Sequence, residues 1–263
     1  MRRAAFMLGV VAISTLGAAG VLRGRGSTVD VPVRLAGTTP SLPRPVAPAF
    51  TVATPRALSS RPARATWAAV RHPTIARRAP NVASAAVTSL STETPEETAN
   101  LVLVVGRRRV GRSLWVRARL PVLPNNTLGW VRRDALGGYQ VVSTQLVVDR
   151  ERLDATLYRH GRPIFHAPVG VGTPQWPTPA GSFYVRNRLT TLPESFYGPV
   201  AFGTSARSAV LTDWPAGGFV GIHGTSQPEL IPGRVSHGCV RMRNPDILRL
   251  ARLMPVGTPL TIR

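Results

Sequence analysis

The sequence predicts a mostly-β protein built from two strand-rich segments, with one short helix near its C-terminal end. Three observations carry this. Short runs rich in Val, Leu, Ile and aromatic residues recur from Leu101 onward. Gly, Pro and Asn clusters punctuate them as turns do. Only the stretch after Asn244 combines an apolar face of helical period with start and stop signals.

Taken in chain order, Arg2 and Arg3 precede an apolar stretch from Ala4 to Leu22. That is the basic n-region and apolar h-region of an export signal. Gly17, Ala18, Ala19 and Gly20 suit a signal peptidase, and the stretch is close to the ~20 residues that span a bilayer. The paired arginines fit twin-arginine export. Residues 1–26 are therefore read as a signal peptide or membrane anchor. The rest is read as exported to the periplasm or cell wall, secreted or anchored. Residues 27–96 are rich in Pro, Ala, Thr, Ser and Arg with scattered apolar positions, and read as a disordered, extended linker. Trp67 and His72 fall inside it and are read as incidental.

Residues 97–142 hold three strand-like runs, Leu101–Val105, Leu114–Leu120 and Leu128–Val131, separated by Gly106, Gly111, Pro121, Pro124, Asn125 and Asn126. With Trp115, Gly129-Trp130-Val131 and Asp134-Ala135-Leu136, the segment resembles a bacterial SH3-like small barrel. Aromatics of such barrels can line a ligand groove, although each of Trp115 and Trp130 taken alone reads as core.

Residues 143–263 read as a second mostly-β domain, sandwich or barrel. Strands are expected at Gln145–Asp149, Ala155–Arg159, Pro163–His166, Ser182–Val185, Phe219–Ile222 and Pro259–Ile262. His160 falls in an expected hairpin tip and His166 on a strand face. For the helix, Asn244 is the expected N-cap and Pro245 the N1 residue, with Asp246 near the positive end. Ile247, Leu248, Leu250, Ala251 and Leu253 form its apolar face, and Pro255 and Gly257 end it.

The formal charge of +21 comes entirely from arginine, since the chain has no lysine. The charge is spread along the chain, and neither a zinc spacing, an RNP-like run nor a basic helix accompanies it. This argues against nucleic-acid recognition and for work beside polyanions or an anionic surface.

The chemistry concentrates in Ser236-His237-Gly238-Cys239-Val240-Arg241-Met242-Arg243-Asn244, which holds the only cysteine. A lone thiol has no internal disulfide partner, and beside histidines and glycines it is a candidate nucleophile. A free thiol near pKa 8.5 needs activation. His237, two residues before it, shares its face if the segment is extended. His223, ending an expected strand before Gly224, is the other candidate base. A backbone carbonyl in that glycine-rich stretch can hold one ring nitrogen and set the tautomer, which would explain the missing acidic partner. Backbone N–H groups at Gly238 and Cys239 are candidates for an oxyanion hole. Arg241 and, less so, Arg243 are candidates for binding substrate carboxylates. The Cys/His spacings of a structural zinc site are absent.

These residues resemble the L,D-transpeptidase catalytic domain of the YkuD type. The resemblance rests on His223-Gly224-Thr225, Ser236-His237-Gly238-Cys239 and Arg241-Met242-Arg243-Asn244. A second element is Pro177-Thr178-Pro179-Ala180-Gly181 after Gly170-Val171-Gly172, where Ala180 departs from the usual Thr. The resemblance covers about residues 143–263. It implies that Cys239 attacks a peptidoglycan tetrapeptide stem and releases D-alanine. His223 would act as base and then acid, and His237 would support the thiolate or oxyanion. Gly238 and Gly224 would supply backbone groups, and Arg241, Ser236 and Tyr197 would contact substrate. An amine acceptor from a second stem gives a 3–3 cross-link; water gives an L,D-carboxypeptidase; a D-amino acid or protein gives exchange or anchoring. A non-catalytic wall-binding protein is the alternative of another class. No cofactor or metal is implied, and carbapenem-type β-lactams would inactivate the thiol. The implied partners are peptidoglycan stem peptides and anionic cell-wall polymers, with the membrane a partner only through an uncleaved N-terminus.

Overall fold

The computed structural model describes residues 64–192, 195–212 and 218–263. The expected leader at 1–26 and the linker up to residue 63 lie outside the described residues. Among those described, no helix is long and apolar enough to cross a membrane.

The described residues form two curled sheets. The first uses β1 (Ala65–Ala69), β2 (Thr74–Arg77), β3 (Ala86–Leu90), β4 (Leu101–Val110), β5 (Ser113–Arg119), β6 (Leu128–Arg132) and β7 (Gln140–Val142). Its order is β3-β2-β6-β5-β4-β1-β7. This corrects the disordered linker expected over 27–96, because β1, β2 and β3 lie within it. Their apolar period is carried by small or isolated residues such as Ala68, Ala76 and Leu90, which look like spacer composition. Their stability comes from distant partners: Trp67 opposes Leu103 of β4 on one side and Gln140 of β7 on the other. Ala68, Ala76, Val102, Val116, Val131 and Leu136 fill the core of this sheet.

Trp67 is therefore not incidental. Its indole covers Gly257, where a Cβ would sit 2.1 Å from the ring. Only glycine fits there, and Gly257 also has φ +79°. His72 is exposed. Trp115 and Trp130 are 3% and 6% exposed, so neither offers a groove to a ligand.

The second sheet comprises β8 (Thr144–Asp149), β9 (Asp154–Arg159), β10 (Arg162–Pro168), β11 (Gly170–Gly172), β12 (Gly181–Thr190), β13 (Val200–Arg207), β14 (Phe219–His223), β15 (Gly233–Ser236), β16 (Val240–Arg241) and β17 (Pro259–Ile262). The order is β10-β9-β8-β17-β12-β13-β14-β16-β11-β15. Strict alternation builds β8 and β9: Leu146, Val148, Ala155 and Leu157 point inward and are fully buried. His160 and Gly161 both take positive φ (52° and 78°), the signature of the two-residue turn that matches strand twist. The helix α1 (Asn244–Leu253) packs Ile247, Leu250 and Ala251 into the same core as Ile222, Val240 and Met242, directly behind the strands that carry the motif.

One detail of α1 differs from expectation. Asn244 is the first helical residue, Arg243 is the cap, and no side chain caps the helix. The Asn244 side chain turns the other way, and its Oδ1 accepts the Thr225 N–H at 2.9 Å. The cap is forgone to tie the helix start to the segment after His223.

Candidate active site

β14 and β16 are parallel neighbours, with Ile222 opposite Val240 and His223 opposite Arg241. This register brings Gly221 beside Cys239, and the Gly221 N–H donates to Cys239 Sγ at 3.3 Å. A Cβ on Gly221 would lie 3.7 Å from His223 Cδ2 and 3.8 Å from Cys239 Sγ. Thiol and imidazole therefore flank one bare patch of backbone.

His223 is 2% exposed, and its Nδ1 lies 2.6 Å from the Gly224 carbonyl oxygen. A carbonyl only accepts, so Nδ1 carries the proton and Nε2 is left as the acceptor. Burial, helped by the positive charge of Arg241 and opposed by the backbone bond to Gly224, lowers the His223 pKa to about 4. Burial likewise raises the Cys239 thiol, opposed by the Gly221 bond and by Arg241. The resting pair is consequently a neutral thiol beside a neutral imidazole.

Cys239, His223, His237, Arg241, Tyr197 and Phe196 line one pocket that opens to solvent. Tyr197 meets His223 edge-on, with ring centroids 4.8 Å apart. The Arg241 guanidinium lies 4.4 Å from the centre of the Phe196 ring. Arg241 is 5% exposed and its Nε has no hydrogen-bond partner. A buried cation with an unsatisfied donor at a pocket wall is suited to an anion.

A family model describing the L,D-transpeptidase catalytic domain, YkuD, matches residues 143–262. Over those residues the chain is similar to the L,D-transpeptidase catalytic domain family. The YkuD protein of Bacillus subtilis strain 168, named as an L,D-transpeptidase, is 36% identical over 107 residues, covering 41% of this chain and 58% of that protein. Its namesake in Bacillus licheniformis is 35% identical over 106 residues, covering 40% and 57%. The chain thus spans less than two thirds of the length of these curated relatives. A crystal structure of an Enterococcus faecium L,D-transpeptidase mutant is 27% identical, covers 46% of this chain and 49% of that one, and has a TM-score of 0.36.

Within the matched segment, three sequence expectations change. The Gly238 N–H is not available as an oxyanion donor, because it donates to Ser236 Oγ at 3.1 Å. Ser236 does not face substrate either: it is 1% exposed, and its hydroxyl also donates to the Cys239 carbonyl at 2.6 Å. It braces the nucleophile loop. His237 does not share an extended face with Cys239. Gly238 has φ +115° and interrupts the strand between β15 and β16, so His237 is exposed and stacks on Trp176 at 4.2 Å. The Gly224 N–H is held by the Val200 carbonyl at 3.3 Å, so Gly224 serves the site through its carbonyl.

Two residues that sequence reasoning left without a role emerge here. Thr178, fully buried, accepts the Gly172 N–H and donates to the Gly238 carbonyl, both at 2.8 Å. It couples the Pro177–Gly181 loop to the nucleophile loop. Asn244 holds Thr225 and also lies against Gly224, where a Cβ would sit 2.4 Å from its Oδ1. The Pro-Thr-Pro and Arg-Met-Arg-Asn motifs mark Thr178 and Asn244 in the sequence, but neither motif tells which backbone group the side chain holds.

Proposed function

We propose that this chain is an exported cysteine acyltransferase acting on peptidoglycan, and that it joins stem peptides by an L,D-transpeptidase reaction. The observation that supports this most is the buried His223–Gly224 bond, which leaves Nε2 free to accept a proton in the pocket that holds Cys239. The leader-like residues 1–26 support export.

In the first half-reaction the Cys239 sulfur attacks the carbonyl of the penultimate, L-configured centre of a tetrapeptide stem. Nε2 of His223 takes the thiol proton as the S–C bond forms, so the strongly desolvated thiolate need not accumulate. The carbonyl oxygen becomes an oxyanion. With Gly238 committed to Ser236, the Cys239 N–H is the donor this loop offers it. Collapse breaks the C–N bond, and the imidazolium gives its proton to the departing D-alanine nitrogen. The thioester is then attacked by an amine of a second stem. His223 takes the amine proton and returns it to the sulfur as the C–S bond breaks. Arg241 fits a donor carboxylate, and its buried, partnerless Nε gives this selectivity for an anionic peptide a physical basis. Tyr197, edge-on to His223, bounds the same pocket and restricts how the peptide lies across the imidazole.

Mass analysis of products from a defined tetrapeptide, with and without a second stem carrying a free side-chain amine, tests this. The expected result is D-alanine release and a dimer joined 3–3 when the acceptor is present. Tripeptide alone in both reactions would make the enzyme a carboxypeptidase. Absence of D-alanine release would overturn the acyl-transfer reading.

A further inference from the structure

We infer that the first sheet, which lies outside the matched catalytic domain, positions one wall of the catalytic pocket, and that Asn125 and Glu96 are the positioning residues. This rests on the acyl-transfer reading of that pocket.

The wall in question is formed by Ser208, Leu211, Gly218 and Phe219. It starts where β13 ends, at Arg207. There the Asn125 carboxamide, on the turn between β5 and β6, captures the Arg207 backbone at two points. Its Nδ2 donates to the Arg207 carbonyl at 2.7 Å, and its Oδ1 accepts the Arg207 N–H at 3.0 Å. A carboxamide making both bonds replaces a strand partner and sets the height and the direction of the chain at that residue. The next residue carries the constraint forward. The Ser208 N–H donates to Gly218 at 2.8 Å, and Ser208 Oγ accepts the N–H groups of Val210 and Leu211 at 3.3 and 3.0 Å. Gly218, at φ +72°, passes so close that a Cβ would lie 2.4 Å from the Leu211 carbonyl. The wall is thus built outward from Arg207 by a chain of short backbone contacts.

A second anchor holds Phe219. Glu96, between β3 and β4, bonds Arg186 Nη2 at 3.3 Å and Asn187 Nδ2 at 3.1 Å. Arg186 is 2% exposed, and its guanidinium lies 3.9 Å from the centre of the Phe219 ring. Asn187 Oδ1 accepts the Gly203 N–H at 2.9 Å, where the pairing of β12 and β13 shifts register. The Glu96 carboxylate is the acidic partner of Arg186 in the described residues, so it keeps a buried cation seated behind a pocket aromatic.

Both anchors bear on binding geometry and neither touches Cys239 or His223. Their loss is expected to raise the KM for the tetrapeptide donor while sparing the thiol. The test is Asn125→Ala in the full chain, with Asn125→Asp and Glu96→Gln as companions. The readouts are KM and kcat for D-alanine release, kcat being normalised to the thiol titrated by a small alkylating reagent. Asn125→Ala is expected to raise KM about tenfold with titratable thiol retained. Asn125→Asp keeps an acceptor for the Arg207 N–H and should recover part of the loss. Glu96→Gln should raise KM in the same direction. A merely structural role would lower the melting temperature and the titratable thiol while KM stayed at its original value, and that result would overturn the inference. An unchanged KM in both Asn125→Ala and Glu96→Gln would overturn it too. Absence of D-alanine release from the unaltered protein is a separate failure, of the acyl-transfer reading itself.

Discussion

Replacing Cys239 with alanine will reduce D-alanine release from a tetrapeptide by about a thousandfold or more, with the fold retained. The sulfur makes one described hydrogen bond, from the Gly221 N–H. The backbone of its loop is held independently, by Ser236 on Gly238 and Cys239 and by Thr178 on Gly238. The loop should therefore keep its shape without the thiol. Alanine removes the nucleophile and leaves the pocket cation Arg241 in place, so donor binding should persist. Rate measurements and a donor-binding titration on the same sample check both halves. Full turnover in Cys239→Ala would remove the thiol from the mechanism.

His223 sets the pH response. Its pKa of about 4 in the folded protein, against about 6.5 when exposed, means that it stays neutral across the neutral range. Because burial raises the thiol, the sulfur also stays protonated there. The rate-competent form is then the neutral pair. kcat/KM should be flat from about pH 5 upward through the neutral range. It should fall on the acid side as His223 takes a proton and on the alkaline side as the thiol ionises. A preformed thiolate–imidazolium pair would instead lose activity below the neutral range. His223→Gln should lower kcat by about a hundredfold to ten-thousandfold and erase the acid limb.

The same shift acts on stability. A histidine with a depressed folded pKa is protonated more readily in the unfolded chain. Its contribution is present above about pH 6.5 and is lost as the pH falls toward about 4, a loss on the order of 3 kcal/mol. Thermal melts across that window, compared between the original chain and His223→Gln, should show the acid-side slope shrink in the variant.

Which features are legible in the sequence follows from how local their causes are. β8 and β9 declare themselves because Leu146, Val148, Ala155 and Leu157 alternate within their own segments. β11, β15 and β16 are two to four residues long and exist because they pair with one another and with β14. No local pattern marks them. β1 to β3 are hidden by alanine-rich composition, and their partners lie far along the chain. At the site, Cys239 and His223 stand out by residue chemistry, and the glycines beside them suggest a carbonyl-held tautomer. The use of each backbone N–H is different in kind. That Gly238 is bound by its neighbour's hydroxyl, and that His237 leans on Trp176, depends on the turn Gly238 makes at positive φ. Thr178, Asn244 and Asn125 act across 60, 19 and 82 residues. Local sequence does not reveal the partners of hydrogen bonds of that reach, even where a motif marks the residue, as it does Thr178 and Asn244.

The central claim is that Cys239 carries the acyl group between donor and acceptor. Intact-protein mass measurement after mixing the full chain with a tetrapeptide stem, without an amine acceptor, tests it most directly. The account predicts a mass gain equal to the donor less D-alanine, mapping to the peptide that contains Cys239 and discharged when a second stem is added. An unmodified protein in a sample that releases D-alanine, or a gain that maps away from Cys239, would contradict it.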